Sequence, residues 1–360
     1  MTTAETTAWL DRFGRRLGEL RVSVTDRCNF RCRYCMPKEY FGHNHEFVPR
    51  DQILSFEEIA RVVGVLQEAG LRKVRITGGE PLLRHQVSHL ILMLKSFANL
   101  EIAMTTNGVL LPKYALALRS AGLDRLTVSL DALDEASFRR IADSPFTSGD
   151  VLSGISAAKR AGFESIKVNC VVQRGLNEDQ ILPLVEYFRN TGHSLRFIEY
   201  MDTGLTNGWS LADVVTASEI LRIIGAKYPL EPVARTTDAQ TAQEYRLKDG
   251  SGVIGIVASV SQPFCGGCTR ARLTSKGELY TCLFGQCRLD IRESIRSGCS
   301  DAQLGTQLRR AWSTRDDRYS ETRTNRNGPL AMKSAPAIVM ASRLHRNAPT
   351  KPQEMSYLGG

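Results

Sequence analysis

Three cysteines, Cys28, Cys32 and Cys35, stand in a C-x3-C-x2-C spacing. Three soft thiolates this close suit iron–sulfur chemistry or zinc. A structural zinc site normally takes four ligands in paired C-x2-C form, and beside these three only His43 and His45 could serve as a fourth. A four-iron cubane held by three cysteines keeps one iron open to a ligand, which makes this the more economical reading. A second trio, Cys265, Cys268 and Cys282, follows a C-x2-C-x13-C spacing. Spacing alone leaves zinc and iron–sulfur level there, with Cys287 as a candidate fourth ligand. Directly after Cys268 come Arg270 and Arg272. On a strand, residues two apart face the same side, so the two guanidinium groups are suited to gripping a polyphosphate. Between the trios lies Thr77-Gly78-Gly79-Glu80-Pro81, where paired glycines allow close backbone approach and Glu80 can receive an ammonium group.

These groups need a scaffold that brings loops together. From residue 20 to about 200, short β-branched runs alternate with longer amphipathic ones, the rhythm of repeated βα units. Strands are expected at 20–25, 73–77, 101–105, 125–130, 166–172 and 195–199, with helices at 55–69, 86–96, 112–120, 149–161 and 178–190. Ser55 and Glu58 fit a capping box at the first helix. The fold class that follows is α/β: an incomplete TIM-type (β/α)6 barrel, with Cys28–Cys35 and the Gly-Gly segment on loops after its first two strands. After Pro229 the texture changes to a polar stretch at 231–243 and strand-like pieces at 244–247, 253–259, 270–274 and 278–282. We therefore expect a lead-in at 1–19, the barrel at 20–235, a smaller α+β module at 236–346 closing the barrel mouth, and a flexible tail at 347–360 ending in Gly359-Gly360.

The first trio, with Tyr34 before its last cysteine, and the Gly-Gly-Glu-Pro segment resemble the radical S-adenosylmethionine enzymes. That resemblance implies an iron–sulfur cluster at Cys28, Cys32 and Cys35, whose open iron is chelated by the methionyl group of S-adenosylmethionine and which yields a 5′-deoxyadenosyl radical. The second trio, the lead-in Leu20-Arg21-Val22-Ser23-Val24-Thr25-Asp26-Arg27 and the terminal glycines resemble the branch of this family that begins molybdenum cofactor biosynthesis. Membership of that branch implies conversion of GTP to 3′,8-cyclo-7,8-dihydro-GTP, with a second [4Fe-4S] cluster at Cys265, Cys268 and Cys282 binding the guanine. Carried over position by position, it assigns Arg21, Lys73, Arg75, Thr106, Lys167, Arg196, Arg270, Ala271 and Arg272 to GTP. Tyr34, Gly79, Ser129 and Met201 are assigned to S-adenosylmethionine, and Gly359 and Gly360 are implied to reach into the pocket and assist cyclisation.

Composition bounds the alternatives. The 360 residues carry a net charge of +9 and are 42% hydrophobic, enough for a large core and suited to an anionic partner. The basic stretch 288–325 interleaves acids and few aromatics, which reads as a solvated helical face and not as a nucleic-acid patch. No apolar run is long enough to cross a membrane, and the start lacks a secretory pattern, so a cytoplasmic protein is expected, with no nucleic-acid or membrane partner. Nine cysteines, six of them in two tight groups, fit intracellular metal binding better than a disulfide framework, and Cys170, Cys287 and Cys299 read as structural thiols. The expected partners are GTP, a reducing electron donor and a downstream pyranopterin-forming enzyme, with a homodimer allowed. Two rivals stand beside this reading: a radical peptide-modifying enzyme, and a zinc-stabilised nucleotide- or nucleic-acid-binding protein.

Overall fold

The computed structural model describes residues 8–204, 206–326 and 354–358. Six βα units come first: β1 (Glu19–Ser23), α1 (Phe56–Glu68), β2 (Lys73–Thr77), α2 (Val87–Lys95), β3 (Glu101–Thr106), α3 (Leu111–Ser120), β4 (Arg125–Ser129), α4 (Glu135–Ala142), α5 (Ser148–Arg160), β5 (Lys167–Val172), α6 (Ile181–Phe188), β6 (Ser194–Glu199) and α7 (Ala217–Gly225). Strands β1 to β6 are parallel neighbours in chain order, as a partial barrel requires. The alternation of each strand divides its side chains. Leu20 and Val22, Val74 and Ile76, and Val168 and Cys170 are fully buried outward against the helices. Their neighbours Glu19 and Arg21, Lys73 and Arg75, and Lys167 and Asn169 line the central cavity. The α1 start bears out its capping box: Ser55 Oγ accepts from the Glu58 amide at 3.1 Å and Glu58 Oε2 accepts from the Ser55 amide at 2.7 Å.

The later residues form β7 (Leu230–Pro232), β8 (Gln243–Leu247), β9 (Val253–Val257), β10 (Arg270–Leu273), β11 (Glu278–Tyr280), β12 (Cys287–Asp290), α8 (Ile291–Arg296), α9 (Asp301–Ser313) and α10 (Tyr319–Arg326). They extend both edges of the barrel sheet, whose order is β12-β11-β10-β1-β2-β3-β4-β5-β6-β9-β8-β7. Strand β10 runs parallel to β1 with Arg21 opposite Arg272, and β9 runs parallel to β6 with Arg196 opposite Gly255. The second half of the chain thus delivers its arginines in register with those of the barrel.

Helices α4 and α7 and strands β7 and β12 were not expected from sequence; each is short, the helices of eight and nine residues and the strands of three and four. The basic stretch 288–325 also differs from a solvated face: Arg315 and Arg323 are buried, pairing with Asp11 at 3.2 Å and Asp202 at 2.8 Å. Of the tail expected to be flexible, residues 354–358 are described, and Met355–Leu358 form a helical turn, α11, with Leu358 fully buried. An apolar side chain to bury and a donor from Arg272 account for the difference. Gly359, Gly360 and residues 327–353 lie outside the described residues.

Candidate active site

One cavity of about 1060 Å³ is lined by both cysteine trios. The first trio sits on the loop that leaves β1. Arg31 folds this loop, its Nη1 donating to the carbonyls of Cys28 at 2.8 Å and Phe30 at 2.9 Å while Nε donates to that of Phe41 at 2.8 Å. The Gly78-Gly79 pair has a packing reason: a Cβ on Gly78 would lie 2.7 Å from the Thr25 carbonyl, and one on Gly79 would collide with the backbone of Arg27. These glycines therefore clamp the cysteine loop as well as bordering the cavity. Glu80 is buried, with Oε1 accepting from the Thr106 hydroxyl at 2.7 Å and the Leu82 amide at 3.0 Å, and Oε2 from the Asn107 amide at 2.7 Å. Those bonds tie β2 to β3 and take up most of the carboxylate's capacity. Thr106, which also borders the cavity, spends its hydroxyl there.

Tyr34, Gly79, Ser129 and Met201 all line the same end of the cavity wall as the first trio's loop and the strand ends that follow it. The Tyr34 hydroxyl donates to Asp131 Oδ2 at 2.9 Å, and Asp131 Oδ1 accepts from the Val171 amide at 2.8 Å. Asp131 thus pins the cysteine loop to β5. Nothing in the sequence marked Asp131 beyond its position just past the end of β4.

The second trio stands beyond the opposite ends of the strands. Cys268 precedes β10, which is parallel to β1, whereas Cys28 follows β1; five strand residues at ~3.3 Å each put the two groups roughly 16 Å apart along the sheet. Two buried arginines shape this loop: Arg15 Nη1 donates to the Cys265 carbonyl at 2.8 Å, and Arg315 Nη1 to the Cys268 carbonyl at 2.7 Å. Asp11 binds both, at 2.6 Å from Arg15 Nε and 3.2 Å from Arg315 Nη1. A Cβ on Gly267 would collide with the Asp238 carbonyl, so the polar segment expected at 231–243 packs directly on the turn between Cys265 and Cys268. Cys287 lies outside the cavity lining, on β12, with its thiol donating to the Leu289 carbonyl at 3.5 Å.

The donor sets fit iron–sulfur groups. Each cysteine of both trios is a free, partly exposed thiol on the cavity wall. Burial, with Glu80 adding to it, pushes the Cys28 thiol up to about 12, and burial raises Cys32 and Cys35 too, so that loop holds its protons until a metal displaces them. At Cys268 burial acts the same way, but Arg270 and Arg315 outweigh it and bring the thiol down to about 6. Arg270 Nη2 stands 3.3 Å from its sulfur.

Between the trios runs a cationic lumen: Arg21, Lys73, Arg75, Lys167, Arg196, Arg270 and Arg272 all face the cavity. Ala271 does not; its side chain is buried on the other face of β10, so only its backbone is available to a ligand. Arg75 Nη1 donates to Thr105 at 3.3 Å and Thr127 at 3.2 Å. Arg196 pairs with Glu244 at 3.4 Å and lies across Gly255, where a Cβ would come within 2.9 Å of its Cγ. Arg272 Nη1 donates to the carbonyl of Leu358 at 2.9 Å.

Residues 22–188 match the family model of the Radical SAM superfamily, and residues 193–321 match that of Molybdenum Cofactor Synthesis C. The chain is 46% identical over 358 residues to the GTP 3′,8-cyclase of Acidothermus cellulolyticus, covering 97% of this chain and 98% of the relative. This chain belongs to the GTP 3′,8-cyclase family. A cyclase of Xanthomonas axonopodis pv. citri is 48% identical over 326 residues, 89% of this chain and 97% of its own, and one of Staphylococcus haemolyticus is 44% identical over 352 residues, 97% and 98%. Among solved structures, Streptococcus suis SuiB bound to S-adenosylmethionine shares the fold at a TM-score of 0.58 and 14% identity, covering 83% of this chain and 69% of its own. SuiB has also been solved with a precursor peptide. At that identity the likeness carries the barrel and no substrate, whereas the matches to the three cyclases cover 89% to 97% of this chain. Like other members of the radical S-adenosylmethionine superfamily, this cyclase-family chain uses S-adenosylmethionine and iron–sulfur chemistry. Among the described residues no helix is long and apolar enough to cross a membrane.

Proposed function

We propose that the chain works with two [4Fe-4S] clusters, one at Cys28, Cys32 and Cys35 and one at Cys265, Cys268 and Cys282, with GTP lying along the cationic lumen between them. The reaction is the conversion of GTP to 3′,8-cyclo-7,8-dihydro-GTP, the first step of molybdenum cofactor biosynthesis. The observation that carries the reading is the placement of two three-thiol groups beyond opposite ends of one strand pair, with seven cations on the wall between. When bound, the first cluster and S-adenosylmethionine would supply the radical that takes hydrogen from the ribose 3′ carbon; that carbon closes on guanine carbon 8, and one electron from the reductant with one proton completes the 7,8-dihydro product. The protein's task is to position and to exclude water.

In this reading Tyr34, Gly79, Ser129 and Met201 hold S-adenosylmethionine, with Asp131 orienting Tyr34. A triphosphate of charge near −4 is matched by Arg21, Lys73, Arg75, Lys167, Arg196, Arg270 and Arg272, several of which offer forked donors suited to phosphate oxygens. Thr106 acts through Glu80 and Ala271 through its backbone. Gly359 and Gly360 assist cyclisation in this reading, supported by the bond that Arg272, one of the lumen cations, makes to the carbonyl of the preceding residue, Leu358.

Iron content tests the two-cluster reading. The anaerobically reconstituted protein is expected to hold about eight irons per chain, and Cys268→Ala about four, with the brown absorbance halved. Four irons in the parent protein, or zinc at the second trio, contradicts it.

Lys167 adds a pH dependence. Burial and the crowding of Arg196, Arg125, Lys73 and Arg75 bring its ammonium down to about 7. A bound triphosphate favours the charged amine and raises that value, so binding takes up a proton at pH 8 and GTP affinity falls as pH rises from 7 to 9. Calorimetry in two buffers of different ionisation enthalpy checks this. The Lys167→Met variant should bind more weakly and lose most of the proton uptake; undiminished uptake assigns it to another group.

The cell compartment is proposed to be the cytoplasm, and the partners a reducing electron donor and an enzyme that builds the pyranopterin from the cyclised nucleotide. A homodimer is compatible with this reading.

A further inference from the structure

Glu19 is an acid set among the phosphate-facing cations. Glu19 starts β1, and the strand alternation turns it to the cavity with Arg21. Its cross-strand partners are Arg270 on one side and Lys73 on the other. Its Oε1 is 3.3 Å from Arg21 Nε and 3.3 Å from Arg75 Nε. Four cations therefore surround a single, largely buried carboxylate.

We propose that Glu19 is a fixed counter-charge that aims Arg21 and Arg75 and weakens the grip of the lumen on a triphosphate enough to let product leave. The proposal rests on the reading that these cations bind the triphosphate. Two other acids touch cavity-lining cations, Glu101 on Lys73 at 2.8 Å and Arg125 at 3.8 Å, and Glu244 on Arg196 at 3.4 Å, but both are closer to solvent. Glu19 is the most shielded of the three and bridges two guanidinium groups. Burial alone would raise its carboxyl; Arg21, Arg75, Lys73 and Arg270 instead hold it down at about 2, so it stays ionised throughout the working range.

A carboxylate next to bound phosphate is repulsive, and a wall built only for tight binding would carry a neutral residue there. The reaction changes ribose and base but leaves all three phosphates on the product. Cationic grip on them is thus uniform across substrate, transition state and product, and beyond what substrate capture requires it only slows release. A built-in negative charge reduces that grip while its bonds keep two guanidinium groups in register.

The substitution Glu19→Gln keeps the side-chain length and an oxygen acceptor for the guanidinium N–H groups and removes the charge. In the anaerobic holoenzyme it is expected to tighten both GTP and inorganic tripolyphosphate about tenfold, measured by equilibrium dialysis, and to steepen the loss of affinity with salt. Steady-state turnover should show KM and kcat falling together, as slower product release requires. A carboxylate with a merely structural task gives the opposite sign, because losing it loosens the arginines. Unchanged or weaker tripolyphosphate binding by a Glu19→Gln protein of parental iron content and melting temperature overturns the proposal. So does binding that needs Mg²⁺ in the parent and not in the variant, which makes Glu19 a metal ligand. If tripolyphosphate fails to bind the parent, or Arg270→Ala leaves its affinity unchanged, the phosphate reading of the lumen has failed. If it binds the parent and weakens in Arg270→Ala, a Glu19→Gln result without tightening fails Glu19 alone.

Discussion

Replacing Cys32 by alanine is expected to abolish formation of 5′-deoxyadenosine, by at least about a thousandfold, or roughly 4 kcal/mol on the barrier. Cys32 lies between Cys28 and Cys35 on a loop whose shape is set elsewhere, by Arg31 on three carbonyls and by the Gly78-Gly79 clamp. Removing one thiol should therefore spare the fold and strip one of three protein ligands from the group that reduces S-adenosylmethionine. Chromatography of a dithionite-reduced reaction measures it. Cleavage persisting near the parental rate places the radical-forming site at the other trio.

Deleting Gly359 and Gly360 should separate two activities that the Cys32 change removes together. The described end of the chain is anchored independently of the glycines: Leu358 is fully buried, its carbonyl accepts from Arg272, and the Tyr357 hydroxyl lies 3.1 Å from His45 Nε2. The truncated protein should thus keep both clusters and its S-adenosylmethionine cleavage while cyclised nucleotide falls below about one part in a hundred of the parental yield. Quantifying 5′-deoxyadenosine and the nucleotide product in the same reaction decides it. Normal yields of both show that the terminal glycines do no chemistry.

Much of this site was legible because its parts are local in sequence. Cysteines three or four apart must share a loop, and arginines two apart on a strand must share a face, so the first trio, the Cys265, Cys268 pair and the Arg270, Arg272 pair could be read directly. The parallel strands were legible for the same reason, through runs of Val and Ile between amphipathic helices. Groups that act only across long separations were not. Arg315 supports the Cys268 carbonyl from 47 residues away, and its basic neighbourhood resembled a solvated helix. Gly255 leaves room for Arg196 because β9 pairs with β6, a register no pattern in the sequence declares. Nothing in the sequence singles out Asp131 or Glu19; only the neighbouring strands show that one orients Tyr34 and the other sits among four cations. Glu80 was read as an ammonium acceptor, yet the structure gives it three donors from its own chain. The Gly78-Gly79 pair was read as room for a ligand, and it is equally room for the backbone of the cysteine loop.

The central claim, one cavity in which the first trio generates a radical and the second half of the chain presents GTP to it, is tested most directly by a single anaerobic incubation. Reconstituted protein, GTP, S-adenosylmethionine and a strong reductant should yield 5′-deoxyadenosine together with a nucleotide of the same mass as GTP but different retention, in comparable amounts. 5′-Deoxyadenosine formed without any cyclised nucleotide, or neither product from protein carrying its full iron complement, would contradict it.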